Sequence, residues 1–336
     1  MQQVIVIEKS FEMPWENLAY EECLMEFADR TGDVYILFLW QNRNAVIIGR
    51  NQNPWKELNF ETMHSEKIDL ARRITGGGAV YHDLGNLNFT FILPKHVYEE
   101  KKTPQIIVDA MDLLDIKAEI SGRNDICCNG KKFSGSAFSV KEKVGLHHGT
   151  LLIDVNLERM MKCLTPDKAK LISKGIDSVN SRVINLKTED DTVTIESVKK
   201  AIKTIFLEEY YKESIELKTN CDIDEKLFSD LIQLYSSHDW IYGENLENFE
   251  EVSSKFEWGL VSVKLQFEET KVVKCVIESD ALDANTIEQL SLKIEGINLD
   301  KDELQNLLEW SKEDFIPEQK KIVNDIIYLI INKIRE

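Results

Sequence analysis

Arg72-Arg73-Ile74-Thr75-Gly76-Gly77-Gly78-Ala79-Val80-Tyr81-His82-Asp83 is the stretch on which the reading of this chain turns. Each glycine loses more backbone freedom on folding than any other residue, so three in a row are costly. They are useful where side chains would block a close backbone approach. Exposed N–H groups of such a turn form a concave anion site, and two adjacent arginines add fixed positive charge. The plain alternative is a tight turn between strands with a solvated arginine pair. No Gly-Lys-Ser/Thr follows, so the run is not a P-loop, and it lacks the Gly-x-Gly-x-x-Gly spacing of a dinucleotide fold. A phosphate held here is held by another architecture.

Outward from the run, strand-like and helix-like segments alternate. Val4 to Ile7 reads as a strand. Pro14 suits a first helical position, and Trp15, Ala19, Cys23 and Phe27 then form an apolar row at four-residue spacing. Val34 to Trp40 is a near-continuous apolar run, as in a strand buried on both faces. Further strands are expected at Ala45 to Ile48, Leu87 to Leu93 (with Asn88 and Thr90 as its polar members), Ala118 to Ile120, Ile126 to Cys128, Phe133 to Val140 and Thr150 to Val155. Asn129-Gly130 is a hairpin signal. Helices are expected around Ile195 to Ile205 and over Leu227 to Tyr235. Ser237 to Ser254 turns polar and acidic and reads as a connection. A hairpin of Trp258 to Phe267 with Val272 to Ser279 follows, then helices near Thr286 to Lys293, Asp302 to Trp310 and Pro317 to Ile334. There is no internal repeat.

The 336 residues correspond to about two domains at roughly 150 residues each. With 43% hydrophobic and 30% charged residues the composition is globular, which excludes collagen-like or largely disordered chains. Lys+Arg 41 against Asp+Glu 59 leaves a formal charge of -18, which disfavours nucleic-acid binding. No apolar run is long enough for a membrane span, and the N-terminus lacks the form of a signal peptide. Six cysteines without metal spacing read as free thiols in a reducing cytoplasm.

Two more clusters carry chemistry. Gly122-Arg123-Asn124-Asp125 precedes Asn129-Gly130-Lys131-Lys132-Phe133-Ser134-Gly135-Ser136-Ala137. Lys131 reads as a solvated turn residue. Lys132, followed by small polar residues, is placed to aim one compact charge at an anionic reaction centre. Asp125 is either a turn residue or a Mg²⁺ ligand. In His147-His148-Gly149-Thr150 the histidines read as hydrogen-bonding residues, since no further metal ligands are evident.

Together these blocks carry a resemblance. Arg73 to Asn88, Gly122 to Asp125, Lys132 to Ala137, His147 to Leu152 and Lys174 to Val183 resemble, in order, the signature of lipoate–protein ligases. Phe256-Glu257-Trp258-Gly259 and Ser279-Asp280-Ala281-Leu282 are similar to that family's small C-terminal domain. The resemblance implies a mixed α/β (α+β) fold. A large catalytic domain on mixed β-sheets with flanking helices would span residues 1–244, and a small α+β accessory domain residues 253–336. It implies that lipoate and ATP give lipoyl-AMP and pyrophosphate, and that the acyl group then passes to a lysine of a lipoyl domain.

Residue by residue, it implies nucleotide-side contacts for Arg73, Gly76, Gly77, Gly78, Ala79, Val80, Tyr81, Asn86, Asp125 and Lys132. Lys132 is the catalytic residue; protonated, it also meets the lipoate carboxyl. Trp40, Arg73 and His148 stand on the lipoate side, and Asp125 is the candidate for Mg²⁺. Lys174 to Val183 is similar to a loop that covers the adenylate, which protects a mixed anhydride from water. The implied partners are lipoate and the lipoyl domains of 2-oxoacid dehydrogenase acyltransferase subunits and the glycine-cleavage H protein. The implied state is a cytoplasmic monomer working in lipoate salvage. Acidic lipoyl domains would dock on a local basic patch around Lys168, Lys170 and Lys174.

Two other readings stay open. A transferase of the same superfamily would take octanoyl or lipoyl from a carrier thioester, with Cys127 or Cys128 as its thiol. A silent docking module for lipoyl domains would have little use for Lys132. Biotin ligases are disfavoured by the absence of their own glycine pattern.

Overall fold

Val34–Trp40 is buried along its whole length, as its unbroken apolar run predicts, because it lies inside a sheet covered on both faces. The structure is a computed structural model that describes residues 2–100, 102–122, 124–164, 182–212, 215–243, 249–298 and 301–334. The expected basic patch at Lys168, Lys170 and Lys174, residues 174–181 of the covering loop, and Arg123 lie outside the described residues.

The strands in chain order are β1 (Gln3–Glu8), β2 (Val34–Trp40), β3 (Asn44–Ile48), β4 (Asp69–Arg72), β5 (Val80–Asp83), β6 (Asn86–Pro94), β7 (Ala118–Ser121), β8 (Asp125–Cys128), β9 (Lys131–Val140), β10 (Val144–Leu152), β11 (Glu216–Lys218), β12 (Glu250–Phe256), β13 (Gly259–Glu268) and β14 (Lys271–Ser279). Eight form one sheet in the order β11-β1-β2-β6-β10-β9-β8-β7. β1 runs parallel to β2 and β11, and every other pairing is antiparallel. The sheet is therefore mixed, as expected. Helix Pro14–Thr31 connects β1 to parallel β2 and begins at the proline. A second sheet has the order β4-β3-β5.

Strand alternation splits the large sheet into two faces. Leu37, Leu39, Leu87, Phe89, Phe91, Phe133 and Leu151 point into the main core, with helices Thr103–Asp112 and Ile195–Tyr210 packed over them. The opposite face carries the polar alternates, including Asn86, Asn88 and Thr90, and these too are buried.

The chain forms two compact units. The first contains residues 1–47, 55–72 and 80–241, and the second contains 48–54, 73–79 and 242–336. In the second, β12-β13-β14 form an antiparallel sheet whose core is completed by helices Ala284–Ile294, Lys301–Asp314 and Pro317–Ile334.

Two expectations need correction. β10 starts at Val144 and ends at Leu152, so His147 and His148 lie within it and Val155 beyond it. The supposed connection of Ser237 to Ser254 holds the helix His238–Tyr242 and most of β12. β12 alternates between exposed and half-buried positions at the edge of its sheet, where charged residues are common, so no apolar pattern announced it.

Candidate active site

One row of directly paired residues crosses five strands: Trp40 opposes Asn88, Asn88 opposes Thr150, Thr150 opposes Gly135, and Gly135 opposes Asp125. Directly opposed residues share a sheet face. The next row is Phe38, Thr90, His148 and Ala137. Trp40, Asp125 and His148 thus stand on one face, with Asn86 on the same face opposite Leu152.

Lys132 joins them through a bulge. Ile126 opposes Ser134 while Cys127 opposes Lys132, so β9 carries one extra residue there. A bulge bends the strand and re-aims a side chain. The Lys132 ammonium lies 2.7 Å from Asp125 Oδ1, with both side chains about one third exposed. A Cβ built on Gly135 would sit 2.8 Å from Nζ and 3.0 Å from Cε. The lysine thus fills the place of the side chain that Gly135 lacks.

Beside Trp40 and His148 lies a buried polar network. Trp40 Nε1 donates to Thr90 Oγ1 at 3.2 Å, and Thr90 Oγ1 donates to Glu21 Oε1 at 2.5 Å. His148 Nδ1 stands 2.9 Å from Glu21 Oε2. Asn17 Nδ2 donates to Asn42 Oδ1, and Asn42 Nδ2 meets His82 Nδ1 at 2.9 Å. The His82 ring faces Trp40 edge-on, with the ring centres 6.1 Å apart. Asn86 Nδ2 donates to Asn88 Oδ1, while Asn86 Oδ1 and Asn88 Nδ2 find no partner among the described residues. A buried acceptor and a buried donor left open are costly unless something else meets them.

Tyr81 is buried, with its hydroxyl 3.5 Å from Asn44 Oδ1, and burial pushes that hydroxyl up to about 12. Its main chain lies in β5, opposite Val46. Val80 opposes Ile47 at the start of β5. Arg72 donates to the carbonyls of Trp240 and Ile241, closing the end of the short helix His238–Tyr242.

The glycine turn belongs to the second unit. Arg73 Nη2 donates to the carbonyls of Gly76 and Gly78 at 2.6 and 2.9 Å, and its Nε donates to Thr75 Oγ1. The guanidinium therefore braces the turn from inside. Gly77 has φ 88° and its N–H donates to Ala281 O at 2.9 Å. A Cβ on Gly76 would come within 2.1 Å of Ala281 O. Gly78 is exposed and a Cβ there would meet nothing within 4 Å. Packing in this structure gives no reason for glycine at that position. Ala79, next to it, is half-buried.

The sequence profile of the lipoyl protein ligase A/B catalytic domain matches residues 13–207, more than half of the chain. The chain belongs to the lipoate–protein ligase family. Residues 249–330 match the bacterial lipoate protein ligase C-terminus. The chain is similar to Plasmodium falciparum LipL1, solved in complex with lipoate, at 29% identity and a TM-score of 0.83, covering 99% of this chain and 100% of that one. A bi-partite lipoate protein ligase from the archaeon Thermoplasma acidophilum, solved with its E2 lipoyl domain, is 28% identical over 74% of this chain and 98% of its own, with a TM-score of 0.64. A lipoate-protein ligase A bound with ATP is 27% identical over 72% and 98%, with a TM-score of 0.60. No described helix is long and apolar enough to cross a membrane.

Sequence reasoning missed Glu21, Asn17, Asn42 and His82. The available signal was the Asn17 and Glu21 pair, one helical turn apart and both buried on Pro14–Thr31. Of the expected apolar row on that helix, Ala19 and Cys23 are buried while Trp15 and Phe27 are only half-buried.

Proposed function

We propose that this protein is an ATP-dependent lipoate–protein ligase. Lipoate's carboxylate attacks the α-phosphorus of ATP, the bond to the β-phosphate breaks, and pyrophosphate leaves. The ε-amine of a lipoyl-domain lysine then attacks the anhydride carbonyl and AMP leaves. The observation that carries this reading is the Lys132 ammonium, lodged over Gly135 on the same sheet face as Trp40 and His148. Two anions must meet in the first step. A fixed cation lowers their repulsion and stabilises the charge that builds on the phosphoryl oxygens. Lys132 does this as a charge, with no nucleophilic role.

The other residues follow from chemistry. Trp40 offers a broad apolar surface to an alkyl chain, and its N–H is already satisfied by Thr90. Glu21 orients His148 in the same wall. Arg73, Gly76, Gly77, Gly78, Ala79, Val80, Tyr81 and Asn86 keep the nucleotide-side roles that the resemblance gives them, with Arg73 acting by shaping the turn. Mg²⁺ keeps several waters and binds through one or two carboxylates plus substrate phosphates. Among the described residues no three ligating side chains cluster, and Asp125 is a single partly exposed carboxylate. That suits a metal delivered with ATP, which would screen the phosphate charge while Asp125 supplied one oxygen.

The lipoate-bound and ATP-bound relatives support the same substrates, and the relative solved with a lipoyl domain supports such a domain as acceptor. The thioester-transferase reading needs a reactive thiol. Cys128 lies in the main core, and burial pushes its thiol up, which leaves Cys127, buried opposite Lys132, as the thiol that reading would use. The deciding experiment incubates the protein with lipoate, Mg²⁺, ATP and an unmodified lipoyl domain. Pyrophosphate release with a gain in acceptor mass is expected. Absence of pyrophosphate, with acyl transfer from a carrier thioester, overturns the ligase reading.

A further inference from the structure

The main chain of Lys132 is held from outside its own hairpin. Its N–H donates to Arg182 O at 2.8 Å and its carbonyl accepts from Ile184 N–H at 2.9 Å. This makes a parallel bridge between Lys132 and Val183. The bridge falls beside the bulge between β8 and β9, where Phe133 is the extra residue and Lys132, still opposite Cys127, turns its peptide groups to the segment 182–184. The direction of its side chain therefore depends on what its peptide groups bond.

The segment 182–184 is itself anchored by the next residue. Asn185 Oδ1 accepts from Val155 N–H at 3.0 Å, and its Nδ2 donates to Val155 O at 2.8 Å. Asn185 occupies the N-cap position of the helical turn Leu186–Glu189, where an asparagine side chain usually bonds the first turn. Here it makes no cap bond. Its donor and acceptor are both spent on one residue's backbone, as a neighbouring strand would do. A carboxylate at this position could accept but not donate. Lys187 N–H adds a bond to Ile153 O, and Asn129 Nδ2 donates to Glu189 beyond it.

We infer that Asn185 is a positioning residue for Lys132: its clamp on Val155 holds the strap 182–184, and the strap aims the ammonium over Gly135 beside Asp125. The inference rests on the ligase reading for its catalytic consequence only. The placement of the ammonium is measurable without any substrate.

The test compares wild type, Asn185→Ala and Asn185→Asp. Lysines are ¹³C-methylated, and the Lys132 resonance is assigned by its loss in Lys132→Arg. In wild type this resonance is expected to stand apart from those of exposed lysines, because the Asp125 carboxylate lies 2.7 Å from the ammonium. It should move toward them in Asn185→Ala and part of the way in Asn185→Asp, which retains one of the two bonds. The Lys132 and Ile184 amides should exchange faster in both variants, and amides of Leu87 to Leu93 should not. For unmethylated protein, kcat of lipoyl-AMP formation should fall about 10²-fold, the scale for a misplaced catalytic group, with the lipoate KM little changed. A lowered melting temperature with an unmoved Lys132 resonance makes Asn185 merely structural and overturns the inference. If Asn185→Ala does not fold, Asn185→Asp decides by the same resonance. Wild type without pyrophosphate release removes the ligase reading, while the resonance still decides the inference.

Discussion

The Asp125 carboxylate and the Lys132 ammonium lie 2.7 Å apart, with the ammonium seated over Gly135, the residue that stands between Asp125 and Thr150 in its row of the sheet. Such a half-exposed pair contributes only about 0–1 kcal/mol to stability, so its placement serves something other than folding. Lys132→Ala should therefore keep the wild-type melting curve within about 0.5 kcal/mol, as surface changes usually do, while lipoyl-AMP formation is lost. Single-turnover adenylation with wild-type rate in that variant would remove the central assignment.

Gly135→Ala tests the same arrangement from the other side. The new methyl would press on the far end of a flexible lysine, which can move away, so the fold should survive. The ammonium loses its seat, and kcat for adenylation should drop by about tenfold to 10²-fold, the cost of misaligning a catalytic group. Steady-state pyrophosphate release measures it, and an unchanged kcat would mean that the seat is irrelevant.

Asp125→Asn removes the carboxylate that the proposed mechanism gives to a phosphate-bound metal. The expected outcome is a raised Mg²⁺ requirement for adenylation. If the Mg²⁺ titration is unchanged, the carboxylate serves only its lysine.

The glycine turn offers a paired test. At Gly76 a Cβ would overlap the Ala281 and Leu282 carbonyls at 2.1 and 2.4 Å, and backbone cannot step aside cheaply. Gly76→Ala should lower stability by about 1–3 kcal/mol, as overpacking does. At Gly78 there is open space and no left-handed φ. Gly78→Ala should be neutral or stabilise by about 0.4–1 kcal/mol through the unfolded chain. A rise in the ATP KM with no loss of stability then marks Gly78 as a position kept small for the nucleotide. Equal melting shifts for the two variants would contradict this.

Much of this arrangement was legible in the residues. Val34 to Trp40 was readable because a strand buried on both faces needs no polar alternates. The β8–β9 hairpin was readable because both Asn129 and Gly130 adopt positive φ, which that dipeptide tolerates. The start of β10 was hidden because His147-His148-Gly149 breaks the apolar pattern that marks a strand. Asn185 was invisible as a clamp, since its Val155 partner lies 30 residues away and local cues suggest only an N-cap. Arg73 was legible as a cation beside glycines, but its use inside the turn depends on carbonyl directions that no spacing encodes.

His147 leads to a prediction about acid stability. It is fully buried on the core side of β10, stacked on Phe138 with ring centres 4.6 Å apart and edge-on to Phe89. Neither ring nitrogen has a hydrogen-bond partner among the described residues. Burial, and then the neighbouring His148, hold its pKa well below the usual histidine value. The folded chain therefore keeps it neutral where the unfolded chain, near the ordinary value of about 6.5, takes up a proton. Stability from this group is fully present above that unfolded value and is lost as pH falls below it, because the unfolded state then binds more protons. His147→Phe removes the titration and leaves an aromatic ring of similar shape in an aromatic cage, which burial of an unpaired polar ring should make neutral or favourable. Urea unfolding between pH 5 and 8 should thus show a smaller loss toward acid pH in the variant than in wild type, with the two curves differing most at the acid end. Parallel curves across that range would show that His147 is protonated equally in both states, and the neutral buried ring would have to be abandoned.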